Sequence, residues 1–133
     1  MKDLSKYFEI PWKENGRSRE GCDCWGLVRL FYLEEWGIEI DDFSAAYETH
    51  LDREKIKKIA ETEKKKWIRI EGAPNVGDIL EIPISKNDFH VGVIAIPGML
   101  LHIEDGAFAQ LIPLKSIRIK NRIKGIWRHH GFA

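Results

Sequence analysis

Gly21-Cys22-Asp23-Cys24-Trp25-Gly26-Leu27-Val28 is the stretch that decides the fold, because a loop passes into an amphipathic helix inside it. The preceding residues 13–21 are rich in asparagine, serine and glycine, which is typical of an ordered loop. The following apolar residues recur at helical spacing and Gly37 supplies a stop, so the sequence predicts a helix over Asp23–Trp36. Cys24 is therefore expected in the first turn, where backbone N–H groups lack intrahelical acceptors.

The rest of the chain predicts two more helices and then a run of strands. A short helix is expected over Asp3–Phe8, and a longer one starts at Asp52 as N-cap and continues through Lys66. After Gly72 short β-type runs alternate with turn residues. The predicted strands are Ile79–Pro83, His90–Ile96, Leu100–Glu104, Ala109–Leu114 and Gly125–His129. Helices followed by an antiparallel meander indicate an α+β fold, with the helices packed on one face of a sheet.

Length and charge limit the classes of protein that fit. The chain has 133 residues without repeats or a linker, so a single domain over residues 1–133 is expected. Lys plus Arg equals Asp plus Glu at 21 each, which gives no general reason to expect a nucleic acid or an anionic membrane as partner. Lysines cluster in the middle of the chain, but glutamates alternate with them, which favours a solvated helix face over a binding patch.

The N-terminal residues and the cysteines indicate the compartment. The first residues lack the apolar core of a secretory signal, and no stretch approaches a membrane span. We therefore expect synthesis in the cytoplasm with reduced thiols, and delivery by other means if the target lies outside the cell. A bridge between Cys22 and Cys24 would be strained, and their one-residue gap does not suit zinc, so no disulfide, metal or other cofactor is expected.

Cys24 is the candidate nucleophile. The start of a helix and a nearby imidazolium both lower the pKa of a thiol, and the same N–H groups can receive the oxyanion formed when a thiolate attacks a carbonyl. Gly26 is expected to leave open space beside the sulfur. By position alone, however, a small apolar core residue is the more common role of a free cysteine. Cys22 precedes the helix and is interpreted as a packing residue.

His90 and His102 are the candidate base and its orienting partner, because a thiol needs a base and the base needs a third group to hold its ring. Each histidine alone is more often structural. A two-residue turn at Pro97–Gly98 would place His102 opposite Val93, facing away from His90, whereas an odd-numbered loop would place it opposite Gly92 with His90 as diagonal neighbour. Catalysis requires the second register. His50, His129 and His130 are expected to be surface or terminal residues. Glu104 and Asp105 could supply a carboxylate, although charges at the end of a hairpin are usually solvated.

Several motifs together resemble the NlpC/P60 family of cysteine peptidases, in the same order along the chain. They are Pro11-Trp12, Asn15-Gly16-Arg17-Ser18, residues 21–28, Gly77-Asp78-Ile79-Leu80 and His90-Val91-Gly92-Val93-Ile94, with His102 twelve residues beyond His90. The resemblance covers about Pro11 to Trp127. It implies a papain-like α+β fold and hydrolysis of amide bonds in peptidoglycan stem peptides, usually between D-γ-glutamate and diaminopimelate or lysine.

The resemblance also implies roles for single residues. Cys24 would be the nucleophile, His90 the general base and acid, and His102 the orienting residue, while Asp23 would line or support the site. Trp12 stands where many relatives have a tyrosine that shapes the oxyanion site, and its indole N–H can donate but not accept a hydrogen bond. Trp25 stands where many members carry serine.

The Asp-Cys-Trp-Gly-Leu-Val form around Trp25 is similar to versions attached to bacteriophage tail assembly and tail-tip proteins. This similarity implies delivery by a virion tail and tail proteins as partners, which would explain a wall-directed enzyme without a signal peptide. Two alternatives stay open: a structural tail component with weak or no hydrolase activity, and a cytoplasmic amidase or interbacterial toxin of the same fold.

Overall fold

The structure is a computed structural model that describes residues 3–43, 53–83 and 89–132. Two α-helices and eight strands lie in these ranges, together with short 3₁₀ helices at Ser5–Tyr7 and His130–Phe132. The helices are α1 (Cys24–Trp36) and α2 (Arg53–Lys64). The strands are β1 (Arg17–Ser18), β2 (Gly21–Cys22), β3 (Ile68–Arg69), β4 (Ile79–Glu81), β5 (Val91–Ile96), β6 (Met99–His102), β7 (Gln110–Pro113) and β8 (Gly125–Arg128).

Six of the strands form one antiparallel sheet in the order β3-β8-β4-β5-β6-β7. The other two, β1 and β2, form a small hairpin that contacts α1. The α+β architecture predicted from the sequence is therefore confirmed, and β5 lies in the middle of the sheet next to α1. This arrangement brings the start of α1 and the start of β5 to the same region of the molecule.

The sheet is covered on both faces by apolar side chains. The larger cluster joins α1 to the sheet, for example through Leu27 and Phe31 against Val93, and all three of these side chains are fully buried. The smaller cluster joins Leu100 on the opposite face to Ile119, in the segment after β7. A buried side chain of this size contributes about 1.5–3 kcal/mol to folding, so the two clusters stabilise β5 and β6 from both faces of the sheet.

The predicted elements differ from the observed ones mainly at their ends. The helix α1 begins at Cys24 rather than Asp23, because Asp23 has extended backbone angles and acts as the N-cap. The predicted N-cap Asp52 lies outside the described residues. The strands β1, β2 and β3 are not predicted, since two-residue strands carry no detectable alternation of apolar side chains. The expectation that His129 lies at the surface is wrong in part, because its ring packs edge-on against Tyr32 and Trp67.

Candidate active site

The thiol of Cys24 is positioned by the capped start of α1. Asp23 Oδ1 accepts a hydrogen bond from the Gly26 N–H at 2.8 Å, which closes the first turn and leaves Cys24 as the first helical residue. The Cys24 side chain is half-buried, and its sulfur lies 4.0 Å from the carbonyl oxygen of Phe89, the residue before His90. The sulfur therefore faces the end of the sheet where His90 is found.

A buried ion pair holds the cap in place. Arg17 Nη1 donates to Asp23 Oδ1 at 2.8 Å and to the Gly16 carbonyl oxygen at 2.9 Å, so β1 is tied directly to the start of α1. The Arg17 and Asp23 side chains are only 10% and 4% exposed. Asp23 therefore caps α1 and binds Arg17, a residue to which the sequence analysis gave no separate role.

The glycine two residues after the nucleophile does not leave open space beside the sulfur, so that expectation is wrong. A Cβ at Gly26 would lie 1.9 Å from the carbonyl oxygen of Gly16. The backbone of the loop before β1 occupies this space and packs directly on the first turn of α1. Gly26 is therefore required by a close contact between two backbone segments.

Cys22 is more deeply buried than Cys24. Its side chain is fully buried, and its thiol donates to the Ser18 carbonyl oxygen at 3.2 Å. Burial, with a further contribution from the charge of Asp23, raises the pKa of the Cys22 thiol to about 12. Cys22 is therefore a protonated packing residue, as its position before the helix indicated.

The β5–β6 hairpin has the register that brings the histidines together, but it reaches this register in an unexpected way. Ile96 pairs with Met99 across the two-residue turn Pro97–Gly98, which alone would put His102 opposite Val93. A bulge between Ile94 and Ile96 shifts the pairing by one residue, so that Val93 lies opposite Leu101. Continued by one residue, this register places His102 opposite Gly92.

His90 and His102 consequently contact each other in the interior. His90 Nε2 lies 3.0 Å from His102 Nδ1, and the two ring centroids are 5.3 Å apart at an interplanar angle of 77°. The two residues are only 5% and 3% exposed. Burial lowers the pKa of both rings, and the charge of His102 lowers that of His90 further, so both imidazoles are neutral near pH 7. Since His102 occupies Nε2 of His90, Nδ1 is the nitrogen with which His90 can exchange a proton.

Cys24 and His90 open onto one cleft with a cavity of about 130 Å³. All three predicted site residues with aromatic or acidic side chains, Trp12, Asp23 and Trp25, line the same cleft. The indole N–H of Trp25 donates to the Asp41 carbonyl oxygen at 2.6 Å, so Trp25 forms a wall and is not a donor to a bound ligand. Trp25 can therefore contribute to the shape of the cleft, whereas its indole N–H is already bound to Asp41.

The remaining walls come from residues that the sequence analysis did not assign to the site. The helix α2 and the sheet supply apolar walls, and carboxylates from several segments also line the cleft. These lining residues include Ile56, Ile59, Ala60, Trp67, Trp127, Glu104 and Asp105. The two acidic residues were expected to be merely solvated. Glu104 follows His102 by two residues, but Glu104 and Asp105 both lie beyond the end of β6, so no strand pattern assigned them to the site.

The described part of the chain also limits two other kinds of site. Within residues 3–43, 53–83 and 89–132, no group of three or more His, Cys, Asp or Glu side chains is arranged to hold a metal ion. Among the helices in the same ranges, none combines the length and the apolar composition needed to cross a bilayer.

Comparisons with known proteins agree with this geometry. A sequence model described as "NlpC/P60 family" matches residues 9–129, and no curated protein matches the chain significantly. An NlpC/P60 family protein from Bacillus cereus has a similar structure, with a TM-score of 0.65 at 19% identity over 92% of this chain and 36% of that one.

Two further solved structures are similar. A Staphylococcus aureus protein described as similar to a lipoprotein of the NLP/P60 family has a TM-score of 0.61 at 19% identity, over 92% of this chain and 37% of that one. The NlpC/p60 domain of the peptidoglycan hydrolase SagA has a TM-score of 0.58 at 18% identity, over 92% of this chain and 90% of that domain. The chain thus spans little more than a third of the first two proteins and nearly all of the SagA domain.

Proposed function

The chain belongs to the NlpC/P60 family, and we propose that it is a cysteine endopeptidase that hydrolyses amide bonds in the stem peptides of bacterial peptidoglycan. One observation carries the proposal. Cys24, at the capped start of α1, opens onto the same cleft as His90, whose Nε2 is 3.0 Å from His102 Nδ1. A thiol, a base and an orienting group are the three parts that nucleophilic catalysis by cysteine requires.

The first half of the reaction follows from these positions. His90 Nδ1 takes the proton of the Cys24 thiol as the sulfur attacks the carbonyl carbon of the scissile amide. The negative charge that develops on the carbonyl oxygen is stabilised by backbone N–H groups at the start of α1. The intermediate collapses to a thioester when the C–N bond breaks, and His90 gives its proton to the departing amine.

The second half regenerates the thiol. His90, neutral again, takes a proton from a water molecule that attacks the thioester carbonyl, and the acyl group leaves as a carboxylic acid while Cys24 recovers its proton. Throughout both halves His102 holds the ring of His90, because its Nδ1 shares a hydrogen bond with the nitrogen that does not face the substrate.

The substrate class is supported by the family and by one relative. The SagA protein is named a peptidoglycan hydrolase, and its domain matches almost the whole chain in fold. The bond between D-γ-glutamate and diaminopimelate or lysine is the target implied by the family resemblance. The Asp-Cys-Trp-Gly form around Trp25 supports the further proposal that the enzyme acts on the wall as part of a phage or prophage tail.

Mass spectrometry of purified muropeptides after incubation with the protein tests the proposal, with and without a thiol alkylator. We expect new fragments that identify the scissile bond, and Cys24→Ala is expected to lower turnover by at least about a thousandfold while the fold is kept. Cys22→Ser is the matched control and should retain most activity. Unchanged turnover by Cys24→Ala would refute the assignment, and a stable, intact protein that cuts no muropeptide would favour a structural tail component.

A further inference from the structure

His102 has one ring nitrogen whose role the triad does not explain. Its Nδ1 lies 3.0 Å from His90 Nε2, whereas its Nε2 is buried and has no hydrogen-bond partner among the residues that the structure describes. Leaving a polar atom without a partner in the interior is costly, and such atoms are rare in folded proteins. The electrostatic field of nearby charged side chains therefore acts on this nitrogen without a direct hydrogen bond.

The direction of proton transfer determines what Nε2 of His102 must carry. For His90 to take a proton on Nδ1, its own proton must sit on Nε2 and point to Nδ1 of His102. Nδ1 of His102 is then an acceptor, so the proton of His102 must sit on Nε2. The opposite tautomers put the proton of His90 on Nδ1, where the ring can no longer act as a base. The buried nitrogen must therefore bear hydrogen in the active state.

Glu104 supplies a negative charge in the cleft that His90 lines. It follows His102 by two residues and lines the cleft together with His90. Arg118 Nη2, from the segment after β7, donates to both of its oxygens at 2.7 and 2.9 Å, and the Glu104 side chain is only 20% exposed. The carboxylate is thus held in one place at the histidine end of the cleft.

The charges of this ion pair act on the rings with opposite signs. Burial is the main reason why the pKa of each ring is low, and Glu104 opposes that effect on both rings while Arg118 adds to it. The hydrogen bond and charge of Arg118 lower the pKa of Glu104 even though burial raises it, so the carboxylate stays ionised. Among the described residues, the other titratable groups that line the cleft are Cys24 and Asp23 at the start of α1, Glu63 and Lys64 on α2, Glu81 on β4 and Asp105 after β6.

We propose that Glu104, fixed by Arg118, is a positioning residue that stabilises the proton-bearing state of the His90–His102 pair. It touches neither the thiol nor the substrate in this role. The inference rests on the proposed function only in that Cys24 is the source of the proton. The proposal adds a fourth group to Cys24, His90 and His102. This group is Glu104, whose carboxylate is held by two hydrogen bonds from Arg118.

Titration of the ring nitrogens by ¹⁵N NMR in the full chain tests this directly. Glu104→Gln should lower the apparent pKa of the histidine pair by about half a unit to one unit, and Arg118→Gln should raise it. The opposite signs are the decisive point, because an ion pair with a purely structural role would give the same effect from either side. Shifts in the same direction, or no shift in either variant, would overturn the proposal.

A second ion pair of the same shape provides the control. Arg19 Nη1 donates to both oxygens of Glu34 at 2.7 and 3.0 Å, on the exposed surface between the β1–β2 turn and α1. Glu34→Gln breaks that pair without removing a charge from the cleft, so the titration of the histidine pair should stay as in the wild type. A shift equal to that of Glu104→Gln would contradict a local effect of Glu104.

Activity gives an independent readout of the same proposal. Glu104→Gln should lower kcat/KM by about tenfold and move the histidine limb of the pH profile to lower pH, and Glu104→Asp, which keeps the charge, should restore part of both. Full activity with an unmoved profile in Glu104→Gln would refute the role. If the wild type cleaves no muropeptide, the NMR titration still decides this inference, and only the proposed function fails.

Discussion

The two sides of the cleft are assembled by different means. In the thiol half, residues 16–26, contacts between near neighbours fix Cys24, since Asp23 binds the N–H three residues on and the guanidinium of Arg17 six residues before. In the imidazole half, residues 90–102, two histidines twelve residues apart meet only because the strands pair in one register. The thiol half therefore depends on local backbone geometry, and the imidazole half depends on the alignment of a sheet.

Gly26→Ala is expected to have the largest effect on the thiol half. Helix propensity alone predicts a gain of about 1 kcal/mol from this change, whereas the overlap of the new Cβ with Gly16 predicts a loss of about 3 kcal/mol or more. Chemical denaturation measures the free energy of unfolding and so distinguishes the two signs.

The matched control for that experiment is Gly37→Ala at the C-terminus of the same helix. A Cβ there would meet no atom within 4 Å, and only its left-handed backbone, with φ of 66°, opposes the substitution. We expect a loss of about 1 kcal/mol at Gly37. A loss at Gly26 no larger than at Gly37 would show that the close contact with Gly16 is not what requires glycine.

Asp23→Ala should cause the second-largest loss of stability. It removes the cap of α1 and leaves Arg17, which is 10% exposed, without its most buried partner, so a loss of about 3 kcal/mol is expected. Asp23→Asn keeps a capping oxygen and should lose less. Thermal or chemical unfolding of both variants checks this order, and equal losses would mean that the charge pair with Arg17, rather than the cap, carries the stability.

Gly92→Ala tests the imidazole half with a smaller expected effect. A Cβ at Gly92 would lie 2.8 Å from the Leu101 carbonyl oxygen and 2.8 Å from Leu100 Cγ, which forces β5 and β6 apart by a small amount. We expect a loss of about 2 kcal/mol and a larger fall in activity than stability alone explains. Kinetics at a temperature where the variant is fully folded separate the two, and unchanged kcat/KM would argue against a strict need for the 3.0 Å histidine contact.

Mild acid should lower the free energy of unfolding through the two buried histidines of the imidazole half. The pKa of each buried ring lies below its ordinary value of 6.5, so the unfolded chain binds more protons than the folded one below that pH. The free energy of unfolding should fall as the pH drops below about 6.5, by up to about 1.4 kcal/mol per pH unit for each ring. Denaturation at several pH values should show a shallower slope in His102→Asn than in His130→Gln, which changes an exposed ring. Equal slopes would mean that other groups cause the acid sensitivity.

The sequence by itself determined the helix that carries Cys24 and the class of fold. The helical spacing after Cys24 and the stop at Gly37 are local signals, because each depends on residues within a turn or two of one another. The same holds for the apolar runs that became β4 to β8, since alternation and turn residues are visible within a few positions. Cys22 could likewise be set aside, because it precedes the helix.

Only the tertiary structure decided how the imidazole half is built. Two registers of the β5–β6 hairpin were compatible with the sequence, and the bulge between Ile94 and Ile96 selects one of them. The contact of Gly26 with Gly16 and the pair of Glu104 with Arg118 join residues whose proximity no periodic pattern records. Local preferences act between neighbours in the chain, whereas these contacts exist only after distant segments have packed together.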